Sequence, residues 1–254
     1  MKEQVFKEWK RTYKKENAFI HKNITQREAN WQKKIEKYVP EQLNDTLDKA
    51  FLKAFELIFE KGTGVLEKTY NKEKKEHAYK VDEYAVEISK NKKAIRTFGK
   101  KAKGSKYVNQ AISTVEGVGM GVLGMGLPDI PLFLGVLLKS IYEISLHYGF
   151  SYETEEEQIF ILRVIETSLL HGKELIDGNK RINHWMEKPE TLGEKEELMK
   201  HVSKLLADEM LYLKFVQGIP VVGLLGGVSD VYYQKKITDY AELKYNRRFL
   251  LKKI

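Results

Sequence analysis

Apolar residues recur at three- and four-residue steps along most of the chain. From Glu41 onward, Leu43, Leu47, Ala50, Phe51, Ala54, Phe55, Ile58 and Phe59 make one stripe, which predicts an amphipathic helix. Pro40 suits its first turn, and Gly62 and Gly64 suit its stop. Upstream, Ile24 to Tyr38 predicts a helix with Trp31, Ile35 and Tyr38 on one side. The first 20 residues predict another, an N-terminal extension that is expected to fray. A charged helix is predicted from Glu73 to about Ser89, with Tyr79, Tyr84 and Ile88 as its apolar contacts, and a shorter basic one after it. In the second half, "SYETEEEQIFILRVIETSLLHG" offers Ser151 or Thr154 as N-cap, acids in the first turn and Gly172 as the end. Its stripe is Ile159, Leu162, Ile165 and Leu169. Further helices are predicted over Lys173–Trp185, Thr191–Phe215 and Val231–Leu251. Alternation of period two is nowhere sustained, and no Asn-Gly or Asp-Gly turn separates such runs. The expectation is an all-α chain: an N-terminal helical extension over 1–22 and one helical domain over 23–254.

Two segments depart from the amphipathic pattern. "GVGMGVLGMGLPDIPLFLGVLL", Gly117 to Leu138, runs for 22 residues with Asp129 as its one charge. "QGIPVVGLLGGVSD" ends at Asp230. In the first, Gly117, Gly121 and Gly124 share a helical face, with Gly126 on a neighbouring stripe. In the second, Gly223 and Gly227 are four apart, with Gly226 beside them. An interior glycine costs roughly 1 kcal/mol against alanine. Close approach of two backbones offsets that loss, so two Gly-rich apolar helices are expected to pack together at the centre. The first segment is also long enough to raise a membrane reading. Pro128 and Pro131 would break its hydrogen-bond ladder at mid-depth, and Asp129 would cost roughly 2.5–3.5 kcal/mol there. Buried helices therefore lead, and a hairpin resting in one leaflet stays open beside them.

Composition adds two things. No cysteine is present, which removes disulfides and thiolate chemistry and fits a cytosolic home. The opening "MKEQVFKEWKRTYKKENAF" lacks the apolar stretch of a secretory leader. The net charge of +8 is uneven: residues 1–110 carry +11 and residues 111–254 carry −3. The excess peaks in a connector, "SKNKKAIRTFGKKAKGSK", residues 89–106, with no acid. Its Lys90, Lys92, Lys93, Arg96, Lys100, Lys101, Lys103 and Lys106 suit an anionic membrane surface. A solvated linker is the plain alternative. Nucleic acid fits less well, because only Phe98 and Tyr107 lie within or beside the block for stacking.

Chemistry-bearing motifs are few. There is no phosphate loop, no nucleophile elbow and no His-Glu-x-x-His, and no cofactor is implied. Asp129 is expected to cap a helix beginning near Pro131. On that helix Glu143 and His147 stand four apart, a pair able to supply two metal ligands but not a full set. Glu143 also reads as a satisfied boundary carboxylate. The candidate polar site is therefore Asp129, Glu143, His147, Tyr148 and Asp230, with no catalytic residue assigned and the metal left open.

"GMGLPDIPLFLGVLLKSIYEISLHYGFSYETEEEQIFILRVI" resembles the central motif of the EcsC family, "GIPVVGLLGGVSDVYYQKKITDYAELKYNRRFL" its closing motif, and "WQKKIEKYVPEQLNDTLDKAFLKAF" its opening. The positions that match are Gly126, Asp129, Pro131, Glu143, Tyr148, Gly149, Gly226, Gly227 and Asp230. The resemblance implies a bacterial chain encoded near an ABC-type exporter, and no reaction or catalytic residue. Two functions are expected to compete. One is a non-enzymatic accessory protein, cytoplasmic and peripheral at the inner face of the membrane, linked to ABC-type transporter components. The other is a small-molecule or lipid binder, or a metal-dependent enzyme, with its site between the two Gly-rich helices.

Overall fold

Each apolar stripe needs a partner surface, and the helices find theirs by closing a circuit. The computed structural model describes residues 2–25, 41–61, 75–76, 78–80, 83, 129–189, 193–216 and 228–253. Seven long helices lie among them: α1 (Lys2–Asn23), α2 (Glu41–Lys61), α3 (Asp129–His147), α4 (Glu155–Leu169), α5 (Gly172–Glu187), α6 (Lys195–Val216) and α7 (Val228–Leu251). No strand occurs among the described residues, so the fold is all-α. Helix α2 packs on α3 and α6, α6 on α4, α4 on α7, and α7 back on α3. Helix α5 covers α4, and α1 lies against α7 and α5.

The α2 stripe is buried as its spacing predicts, from Leu47 through Phe51 and Phe55 to Phe59. Helix α3 is buried on nearly every side, with Ile130, Leu134, Leu137, Leu138 and Ile141 sealed from solvent. It carries the C-terminal half of the long apolar segment, and it is a core helix. Among the described residues no helix is long and apolar enough to cross a membrane. The glycines expected to pack centrally (Gly117, Gly121, Gly124, Gly126, Gly223, Gly226 and Gly227) lie outside the described residues, as does the basic connector 89–106.

Several boundaries differ from expectation, and two of them bear on the packing. Helix α3 already includes Asp129, so Pro131 occupies its first turn, where a missing N–H costs nothing. Gly172 does not end α4, which stops at Leu169; it opens α5, its N–H donating to the Ile24 carbonyl at 3.1 Å. Of the two N-cap candidates, Thr154 takes the role, its hydroxyl accepting from the Glu157 N–H at 3.2 Å.

The turn after α3 depends on Gly149, whose φ is +76°. A β-carbon there would also overlap the Tyr79 ring. Gly149→Ala combines left-handed backbone strain of about 1–2 kcal/mol with displacement of that ring. We expect a loss of at least about 2 kcal/mol in chemical denaturation. The penalty should shrink toward the strain alone when Tyr79→Ala is present too.

Candidate functional site

Buried carboxylates, rather than apolar contacts alone, join the helices. Glu16 of α1 is 1% exposed and sits at the centre of the largest such cluster among the described residues. Its Oε1 accepts from Asn179 Nδ2 at 2.9 Å and Asn183 Nδ2 at 2.6 Å, both on α5. Lys244 Nζ of α7 lies 3.1 Å from the same oxygen, and Arg247 Nη1 lies 3.5 Å from Oε2. Lys244 also donates to Asn179 Oδ1 at 2.5 Å and to Asn183 Oδ1 at 2.8 Å. All three of its N–H bonds are thus engaged, and its side chain is 0% exposed. Tyr240 adds a hydroxyl donating to Asn179 Oδ1 at 2.9 Å. Arg247 reaches on to Glu187 Oε1 at 2.9 Å and stacks its guanidinium over Trp9.

The electrostatics follow from that enclosure. Burial pushes the Glu16 carboxyl up, but Lys244, the two asparagine donors and Arg247 outweigh it and hold the group below its ordinary range. Burial pulls the Lys244 ammonium down to about 8 against the pull of Glu16. At neutral pH both remain ionised. A lysine sealed in this way, with every proton committed, serves as a clamp and offers no nucleophile to a substrate.

Three smaller clusters repeat the theme. Glu157 of α4 holds Arg248 Nη1 at 2.7 and 2.9 Å and accepts from the Tyr245 hydroxyl at 2.6 Å. Phe150, Phe160, Trp185 and Tyr245 surround the Arg248 guanidinium, centroids 4.1–5.6 Å away. Glu166, also on α4, binds Arg163 in its own helix and faces His201 of α6 at 3.4 Å. Glu209 of α6 accepts from the Tyr233 hydroxyl at 2.8 Å and meets His171 Nε2 at 2.9 Å. Only His171 in that last group reaches solvent to any extent, and the buried carboxylate fixes the orientation of its ring.

Of the residues singled out from the sequence, Glu143, His147 and Tyr148 lie at the C-terminal end of α3 or just after it, while the side chains of Asp129 and Asp230 lie outside the described ones. Glu143 is buried on α3 and forms an ion pair with Lys75 at 3.2 Å. Lys139, one turn earlier, is held below its ordinary value by burial, with Glu143 opposing and Lys75 adding to the shift. His147 is half-buried at the end of α3, its ring edge-on to Tyr148 at 5.0 Å. Tyr148 is fully buried, and burial plus the Glu242 charge push its hydroxyl well up. Asp129 begins α3 fourteen residues before Glu143, about 21 Å along the axis at 1.5 Å per residue. Asp230 stands in the first turn of α7. Among the described residues no group of three or more acidic or histidine side chains is placed to hold a metal.

Pattern reading passed over Glu16, Asn179, Asn183, Lys244 and Arg247. A signal was present: Asn179, Asn183 and Glu187 step by four on α5, and Tyr240, Lys244 and Arg247 step by four and three on α7. Two polar stripes on helices with otherwise apolar inner faces are a cue for a buried network.

Comparison with known proteins adds two findings. The model described as the EcsC protein family matches residues 3–250. A curated protein named Protein EcsC, from Bacillus subtilis (strain 168), is 25% identical over 224 residues, spanning 86% of this chain and 84% of the relative. No solved structure matches.

Proposed function

The chain belongs to the EcsC family, and from that premise we propose that it is a non-enzymatic accessory protein. It works at the cytoplasmic surface of the membrane, in association with an ABC-type exporter. The observation that carries this reading is the division of charge, +11 over residues 1–110 against −3 over the rest. A basic half beside a near-neutral one orients a protein toward an anionic leaflet, where each lysine or arginine near the surface contributes about 1 kcal/mol. The buried ion pairs support a binding role over a catalytic one, because the charged groups they contain are spent on holding helices together.

Vesicle flotation tests it. The full chain is expected to float with vesicles containing phosphatidylglycerol and to stay down with phosphatidylcholine alone. Replacing the eight basic residues of 89–106 with Gln should weaken binding at least tenfold, and high salt should release the wild type. Equal failure on both vesicle types would end the proposal. In cells, release from membranes by salt is expected, while retention through a carbonate wash would point to insertion instead.

A further inference from the structure

The outward side of helix α1 combines a surplus of cations with exposed aromatic rings. Its inner stripe, Val5, Glu8, Thr12 and Glu16, is buried. Because Glu8 and Glu16 face inward, the exposed charges are nearly all of one sign: Lys7, Lys10, Arg11, Lys14, Lys15 and Lys22 against Glu3. Among the described residues three large hydrophobic side chains are exposed, and two of them are here, Phe6 at 50% and Tyr13 at 52%. They stand seven residues apart, two turns along the same face. Lys10 lies between them, its Nζ 4.7 Å from the Phe6 ring centre. Lys7 and Lys14 make a parallel row beside them.

We propose that this outward face of α1 is a docking surface for an anionic lipid bilayer, the helix lying flat with Phe6 and Tyr13 at headgroup depth. The proposal rests on the membrane-surface reading above and adds a second contact to the one read from residues 89–106. Aromatic rings favour the headgroup zone, and lysine stems can lie along apolar surface while their ammonium groups meet phosphate. The two rings are about 10.5 Å apart along the helix axis, at 1.5 Å per residue. That spacing suits a plane of headgroups better than successive stacked bases. The Glu16–Lys244 clamp and the Trp9–Arg247 stack fix α1 to α7, so the face is presented without folding on contact. Binding therefore loses little to ordering entropy.

The test uses the full chain with phosphatidylcholine vesicles, with or without phosphatidylglycerol. Lys7→Gln, Lys10→Gln and Lys14→Gln together should weaken binding to anionic vesicles at least tenfold and flatten its salt dependence. Phe6→Ser with Tyr13→Ser should weaken it about tenfold and leave the salt dependence intact. Both variants change exposed positions, and their thermal melts should match the wild type. The chain has no native cysteine, so Tyr13→Cys carries a single polarity-sensitive dye, whose emission should shift to the blue on anionic vesicles. Wild-type binding that neither variant changes, with no dye shift, would overturn the α1 proposal while the membrane reading stands. If the wild type binds no vesicle, both fall together. Salt-sensitive capture of an oligonucleotide in place of vesicles, lost in the same lysine variant, would reassign the face to nucleic acid.

Discussion

Glu16→Leu is expected to destabilise the protein by about 3–5 kcal/mol, because it strands a buried cation. Lys244 would keep two carboxamide acceptors but lose the carboxylate that offsets its burial, and Arg247 would lose one of its two acidic partners among the described residues. Lys244→Met should cost somewhat less, because Glu16 keeps its two asparagine donors and Arg247 at 3.5 Å. The double variant should lose less than the sum of the two, with a coupling of up to about 3 kcal/mol from urea denaturation. Additive losses would mean the ion pair contributes nothing of its own. Because Glu16 ties α1 to both α5 and α7, the single variants should also expose α1 to limited proteolysis before the rest of the chain.

The same cluster sets a pH signature. Glu16 lies below its ordinary value when folded, so its contribution is present above about 4.5 and is lost as pH falls through the lower folded value. Lys244 titrates near 8 when folded and near 10.5 when unfolded. Between those values the unfolded chain binds more protons, so this group makes stability rise with pH across that window. In Glu16→Leu the upward pull on Lys244 is gone, and the rise should begin at lower pH. A pH series of melts on the two proteins checks both signs.

Arg248→Met is expected to cost about 3 kcal/mol or more. It leaves the Glu157 carboxylate, 7% exposed, with the Tyr245 hydroxyl as its remaining described cross-helix partner. The lost side chain also contacts four rings at once, and such contacts add about 0.5–2 kcal/mol each where desolvated, though not additively. Arg248→Lys keeps the charge but not the planar fork or the stacking surface, and should recover only part of the loss. A second readout separates charge from packing. Lys252 is held below its ordinary value by burial and by the neighbouring Arg248 charge. Its resonance should titrate higher in Arg248→Met and stay near the wild-type position in Arg248→Lys.

Much of the fold was legible because apolar spacing and burial are the same physical requirement. The Leu47–Phe59 stripe and the apolar body of α3 read directly from residue order, and the cap of α4 is one of the two candidates, Ser151 or Thr154, that residue order offers. Glu143, read as a satisfied carboxylate, pairs with Lys75, a residue 68 positions away that periodicity gave no reason to choose. Helix α1 was harder. Its inner stripe carries Glu8, Thr12 and Glu16, which pattern reading assigns to solvent. Helix α7 presents the same difficulty with Lys244 and Arg247. A charge at a core position makes sense only when its opposite arrives from another helix.

Residue order alone determined that this chain is helical, which faces of several helices are apolar, and that its basic charge is gathered in the first 110 residues. These are local properties, set by side-chain type at fixed spacing. Which charges would be buried, and with which partners, was decided by how the helices pack, in the largest described cluster by α1, α5 and α7. A lysine and a glutamate 228 positions apart are ordinary surface residues until a fold removes water from both. Once it does, each is stable there only because the other has arrived.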